Sequence, residues 1–137
     1  MNQFIYIVEV IDICDERSDI NKSEAIITSP GYPKTNYPKN LDCVKVVNFP
    51  EETPFRVKFL GEFDLDPFRC MTDDFIEIRN GKDEDAPLIL KACGSKKPQS
   101  ISLIGDSVWM KFKSDTSSDQ GFSLRISKLA RSEGKLT

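Results

Sequence analysis

No segment of about ten or more residues in this 137-residue chain places its apolar side chains at a helical period of 3.6, which removes most ways of building a core from helices. Short runs with a two-residue period appear instead. Candidate strands are Glu24 to Thr28, Asp42 to Phe49, Phe55 to Leu65, Asp74 to Asn80, Leu88 to Ala92, Ser100 to Leu103, Ser107 to Lys113 and Phe122 to Ser127. The last two alternate most cleanly. Val108, Met110 and Phe112 oppose Trp109, Lys111 and Lys113, and Phe122, Leu124 and Ile126 oppose Ser123, Arg125 and Ser127. Such segments suit half-buried antiparallel strands. The breaks between them carry turn residues: SPGYP at 29–33, Tyr37-Pro38, Asn80-Gly81, Cys93-Gly94, Gly105-Asp106 and Gly121. Several short strands at this spacing predict an all-β sandwich, with Phe59, Phe112 and Phe122 in its core.

Length and composition bound the rest. With 39% apolar residues the chain suffices for one compact domain. A net charge of -3 and a pI near 5.1 provide no basic field for a nucleic-acid backbone. Histidine is absent, which excludes Ser and Cys proteases built on a His base, His-ligated zinc hydrolases and most proton shuttles. No run approaches the roughly 20 apolar residues that span a bilayer, so a soluble domain is expected. MNQFIYIVEVIDI lacks a basic leader and carries Glu9 and Asp12, which makes it a poor signal peptide and leaves an upstream strand, a linker or a remnant unrelated to the fold. RSEGKLT at the other end is polar and patternless.

Four cysteines, at 14, 43, 70 and 93, are even in number and contain no CxxC pair, so disulfides are favoured over a zinc ribbon or a redox motif. Three connectivities remain open; sequential pairing would close loops of about 30 and about 24 residues. Each would stabilise by roughly 3 to 4 kcal/mol in the chain-entropy model. Asn21-Lys22-Ser23 is an N-glycosylation sequon and leans toward secretion.

Acidic residues gather around the third cysteine. In FRVKFLGEFDLDPFRCMTDDFIEIRNG, residues 55–81, Glu62, Asp64 and Asp66 fall on the parity opposite Phe63 and Leu65, and Asp74 opens the next strand. Asp66 and Asp74 are therefore expected to converge. Read as a glycosidase pair they would need a cleft lined by aromatics, and Trp109, the only tryptophan, alternates as a sheet-packing residue. Lys96-Lys97 and Lys111 with Lys113 read as solvated faces rather than as sites for acidic glycans.

The order of these motifs resembles a CUB domain: a first cysteine, SPGYP and a later Tyr-Pro, a second cysteine, a Phe-rich strand ending FDLD, and a third cysteine followed by DFIEIRNG. Cys93-Gly94, Phe112-Lys113-Ser114-Asp115 and Gly121-Phe122 complete the series. The likeness runs from Cys14 to about Lys128. It implies an N-terminal extension or linker over 1–13, a CUB domain over 14–128 and a tail or linker over 129–137. It further implies a jelly-roll sandwich of two antiparallel sheets, with disulfides Cys14 to Cys43 and Cys70 to Cys93, acting as a non-catalytic interaction module outside the cell.

Many members of that family bind calcium at one loop end. Position by position, the resemblance assigns the metal to Asp66, Asp74 and Asp115, with the carbonyl of Ser117, while Tyr37 steadies a ligand carboxylate. Asp66 stands where the family has Glu, and Asp73 is a competing ligand because three residues rather than two separate Cys70 from Asp74. Calcium takes six to eight hard oxygen ligands, so three carboxylates with carbonyls and water suffice chemically. The partner implied is an extracellular or cell-surface protein offering a Lys or Arg to Tyr37, Asp66 and Asp115, with neighbouring domains in the parent protein. The alternative is a structural, adhesive or glycan-binding sandwich in which calcium plays no part.

Overall fold

The computed structural model describes residues 7–70 and 72–130, and every regular element in them is a β-strand. The order is β1 (Val10–Asp12), β2 (Asp19–Asn21), β3 (Glu24–Thr28), β4 (Asp42–Asp64), β5 (Phe75–Asn80), β6 (Leu88–Ala92), β7 (Ile101–Lys113) and β8 (Gly121–Lys128). Ladders run β1-β3-β8-β4-β7-β5-β6, with β2 also on β4. The pairs are antiparallel except for the short contacts β1 with β3 and β2 with β4.

Two long strands fold this order into a sandwich. The first part of β4, Asp42 to Asn48, pairs with Ser107–Lys113 of β7, and its second part, Phe55 to Asp64, pairs with β8. Between them the register slips from Asn48 to Thr53, and the chain turns its apolar face inward on both sides of the corner. The layers meet through rings. Phe112 of β7 and Phe122 of β8 are not ladder neighbours, yet their centroids lie 5.2 Å apart at 78°. Phe49 and Phe55 close the corner at 5.5 Å. The edge-on contact of Phe112 with Phe122 adds to the apolar burial.

Parity explains most of the core. Phe55, Val57, Phe59 and Phe63 point inward, as do Ile76 with Ile78 and Val108, Met110 and Phe112. The alternation breaks at Gly61, in a register shift between Leu60 and Asp64. There Tyr32 Oη accepts the Glu62 N–H and donates to the Glu62 carbonyl, both at 2.9 Å, so a side chain supplies the bonds the ladder loses. Gly61 has φ +62°, and a Cβ on it would lie 2.6 Å from Tyr32 Oη.

Four features depart from the patterning, the first being that the runs expected at Asp42 to Phe49 and Phe55 to Leu65 are joined in one strand, β4. The runs expected at Ser100 to Leu103 and Ser107 to Lys113 are one strand, because both flank the same β4 and the ladder continues through Gly105 opposite Thr53. β2 is carried by a single buried residue, Ile20, too short to alternate. Ahead of Cys14, Val10–Asp12 pairs with β3 and buries Ile11 and Ile13. The disulfides join Cys14 to Cys43 and Cys70 to Cys93. Beside the first, Lys45 is fully buried, its Nζ held by Asp15 Oδ1 and the Arg17 carbonyl.

Candidate functional site

Four loops meet at one end of the sandwich. They are the β3–β4 loop with Tyr37, the β4–β5 loop with Asp66 and Asp74, the β6–β7 loop after Cys93, and the β7–β8 loop with Asp115, Ser117 and Asp119. Backbone bonds lace the first to the last: Tyr37 N–H to the Asp119 carbonyl at 3.1 Å, and Asn40 N–H to the Asp115 carbonyl at 2.9 Å. Ser114 joins both sides, its Oγ accepting the Leu41 N–H and donating to the Pro38 carbonyl. The β4–β5 loop is tied to the β6 end by the Cys70 disulfide and by Leu65 N–H to the Gly94 carbonyl at 2.9 Å. A tight turn at Arg69, φ +50°, then brings the chain back to Asp74.

Asp74 is the centre of this end. Its side chain is fully buried. Oδ2 accepts the Tyr37 hydroxyl at 2.6 Å, and Oδ1 accepts the Asp115 backbone N–H at 2.9 Å. Tyr37 is itself buried, edge-on to Phe112 at 5.0 Å, and its Oη accepts the Asp66 N–H at 3.0 Å. Two residues far apart in sequence thus fix the backbone on both sides of Asp74. Gly121 makes room for this: at φ +103°, a Cβ there would sit 2.0 Å from Ser29 Oγ and 3.5 Å from Tyr37 Cδ2.

Burial dominates the electrostatics of this end, and like charge adds to it. Burial pushes the Asp74 carboxyl above its ordinary value, and the charges of Asp66 and Asp115 add to that against the bonds from Tyr37 and Asp115 N–H. Burial, then the Asp74 carboxylate, raises the Tyr37 phenol. A second pair lies beside the first: Asp64 is raised by burial and then by the neighbouring Asp119 carboxylate. Sequence reasoning missed Asp64 and Asp119 as a pair. The signal was present, since FDLD and SDTSSD each hold two acids on loops that meet at this end.

The other predicted residues fall as follows. Asp66 is half-buried and its Oδ1 accepts the Phe68 N–H at 3.0 Å, capping its own turn. Asp73 takes the Thr72 hydroxyl at 3.3 Å. Ser117 is exposed, and Asp115 is half-buried with its backbone engaged on both sides. Among the described residues, no group of three or more His, Cys, Asp or Glu side chains is disposed to hold a metal ion as it stands. The donor chemistry, carboxylates with backbone carbonyls, suits a hard cation. Asn21 lies away from this end, on β2.

Comparison with known proteins bears on this arrangement. A family model described as CUB domain matches residues 14–126. Cubilin of Canis lupus familiaris is 35% identical over 120 residues, covering 87% of this chain and 3% of that protein. Neuropilin-2 of Homo sapiens is 40% identical over 107 residues, covering 77% of this chain and 11% of that protein. The chain therefore spans only a small part of these relatives. Among solved structures, the MASP-1 CUB2 domain bound to Ca2+ superposes with a TM-score of 0.68 at 28% identity, covering 80% of this chain and 96% of that one. The CUB1-EGF-CUB2 region of human MASP-1/3 reaches 0.72 at 28% identity, over 85% of this chain and 43% of that one.

Proposed function

The chain belongs to the CUB family of non-catalytic, extracellular interaction modules, and on that premise we propose that its acidic loop end takes one calcium ion and presents ordered carboxylates to a Lys or Arg of a protein partner. The observation that carries this reading is Asp74, a carboxylate fully buried between the Tyr37 hydroxyl and the Asp115 N–H, raised by that burial and further by the charges of Asp66 and Asp115. A divalent cation relieves that repulsion, and the structural neighbour bound to Ca2+ makes calcium the first candidate. Asp66, Asp74 and Asp115 would hold the ion, with the Ser117 carbonyl. Asp66 Oδ1 accepts the Phe68 N–H, which leaves Oδ2 to the ion, and a dissociation constant in the weak extracellular range of about 0.1 to 1 mM is expected.

Tyr37 keeps Asp74 aimed, while outward oxygens of Asp66 and Asp115 accept charge-assisted bonds from the partner's basic group. Calcium titration by calorimetry tests the metal, with Asp74→Asn as control. Heat of binding in the parent and none in the variant is expected; no calcium uptake by the parent overturns the reading. The partner step is tested by comparing its affinity with calcium and with chelator, and unchanged affinity would overturn that step. A second reading, an adhesive sandwich independent of calcium, is favoured by the finding that among the described residues no three acids are gathered to hold an ion as they stand. It is the outcome if neither titration responds.

A further inference from the structure

On the edge of the sandwich formed by β2, Asn21 opens the triplet Asn21-Lys22-Ser23, and all three residues are exposed. β2 is held inward by Ile20, and among the described residues its ladder partner is β4 alone, so its outer edge is bare. Natural sheets usually blunt such edges. The Asn21 side chain is already oriented. Ser107 Oγ donates to Asn48 Oδ1 at 2.9 Å, and Asn48 Nδ2 donates to Asn21 Oδ1 at 3.2 Å. That relay uses the Asn21 oxygen, while its Nδ2 donates to none of the described residues.

A groove starts at this amide. Its mouth, about 290 Å³, is formed by Asn21, Asn48, Phe49 and Pro50, and offers mainly apolar surface. A second, more polar hollow of about 460 Å³ shares Asn48, Phe49 and Pro50 with it and reaches Asp19, Asp106 and Lys82. An apolar wall followed by carboxylates, an amide and an ammonium suits a sugar chain, which offers C–H faces and many hydroxyls. Attachment at the mouth makes occupancy intramolecular, so weak contacts suffice to hold it.

We propose that Asn21 carries an N-linked oligosaccharide whose proximal sugars lie along this groove and cover the outer edge of β2. In the attachment step Asn21 Nδ2 bonds to the anomeric carbon of a lipid-diphosphate oligosaccharide. The bond from that carbon to the diphosphate breaks, the lipid diphosphate leaves with the electron pair, and one amide proton is released. The extracellular setting of the family supplies the compartment.

The test expresses the chain through the secretory pathway of a eukaryotic cell and measures intact mass. The parent and Ser23→Thr are expected to carry glycan mass that peptide N-glycosidase removes. Asn21→Gln and Ser23→Ala are expected at the bare polypeptide mass, and a parent at that mass overturns the site. Hydrogen exchange in chelator then compares glycoprotein with Ser23→Ala, which lacks the glycan and keeps the bond from Asn48 to Asn21. Slower exchange at Asp19–Asn21 in the glycoprotein is expected, and equal rates overturn the placement in the groove. Neither readout depends on calcium.

Discussion

The Tyr37 hydroxyl donates to Asp74 Oδ2 at 2.6 Å while accepting the Asp66 N–H at 3.0 Å. One oxygen, buried under β7 and β8, therefore sets both the direction of a buried carboxylate and the path of the loop beside it. Tyr37→Phe keeps the ring against Phe112 and removes both bonds. It is expected to lower stability by roughly 1.5 to 3 kcal/mol, the range for a bond to a charged group. Urea unfolding in chelator measures this. In Tyr37→Phe with Asp74→Asn the losses should not add, because the two residues share the bond.

Asp66→Glu restores a methylene at the acid whose oxygen now caps its own turn. The longer side chain reaches further from the backbone, and calcium affinity is expected to rise by a factor of about three to ten, which is about 0.7 to 1.4 kcal/mol. Calorimetry reads the ratio directly. An affinity equal to or below that of the parent would show that Asp66 does not limit the site.

Lys45 and Asp15 give the pH dependence. Burial works to raise the Asp15 carboxyl, but hydrogen bonds from Lys45 and Arg17 outweigh it and hold it below its ordinary value. Between that folded value and the ordinary one, the unfolded chain binds more protons than the native one. Stability from this pair is therefore present above the ordinary carboxylate value and lost as pH falls through the folded one. Asp15→Asn is expected to abolish that acid-side loss and to cost about 2 to 4 kcal/mol at neutral pH, since it leaves the buried Lys45 ammonium without its counter-charge. Lys45→Met removes the buried charge and keeps the stem, while Asp15 retains Arg17 and the Arg17 carbonyl loses its donor, so it is expected to cost less than Asp15→Asn. Chemical unfolding across acid to neutral pH separates the two variants.

Gly121→Ala places a Cβ 2.0 Å from Ser29 Oγ at a backbone φ of +103°. Strain and displacement act together, and the loss is expected at about 2 to 4 kcal/mol. Because Ser29 Oγ accepts the Phe122 N–H and Tyr37 packs alongside, the variant should also weaken calcium binding. Unfolding midpoints and a calcium titration of the same sample check both effects.

Much of this fold was legible in the chain. A two-residue period placed Phe59, Phe112 and Phe122 in the core, because a sheet buries alternate residues whatever its partners are, and the apolar run Leu88–Ala92, set between Pro87 and Cys93-Gly94, is a strand with the expected bounds. It failed where tertiary contact outranks local pattern. In β4 Val44 is exposed while Lys45 is buried, since a loop pinned by Cys14 to Cys43 folds over that residue and supplies oxygens to its ammonium. The division at Gly105 failed too, since a turn residue can also sit inside a strand that changes sheets.

The acidic end divides in the same way. Sequence alone determined which acids are available, that histidine chemistry is absent, and that Asp66 and Asp74 flank one loop between strands. Tertiary structure decided which acid is buried. Asp74 is enclosed by Tyr37 and by the Asp115 backbone, from loops 37 and 41 residues away in sequence, and Asp64 meets Asp119 across the same end. Charge and burial depend on distances through space, and those exist only once the two sheets have closed.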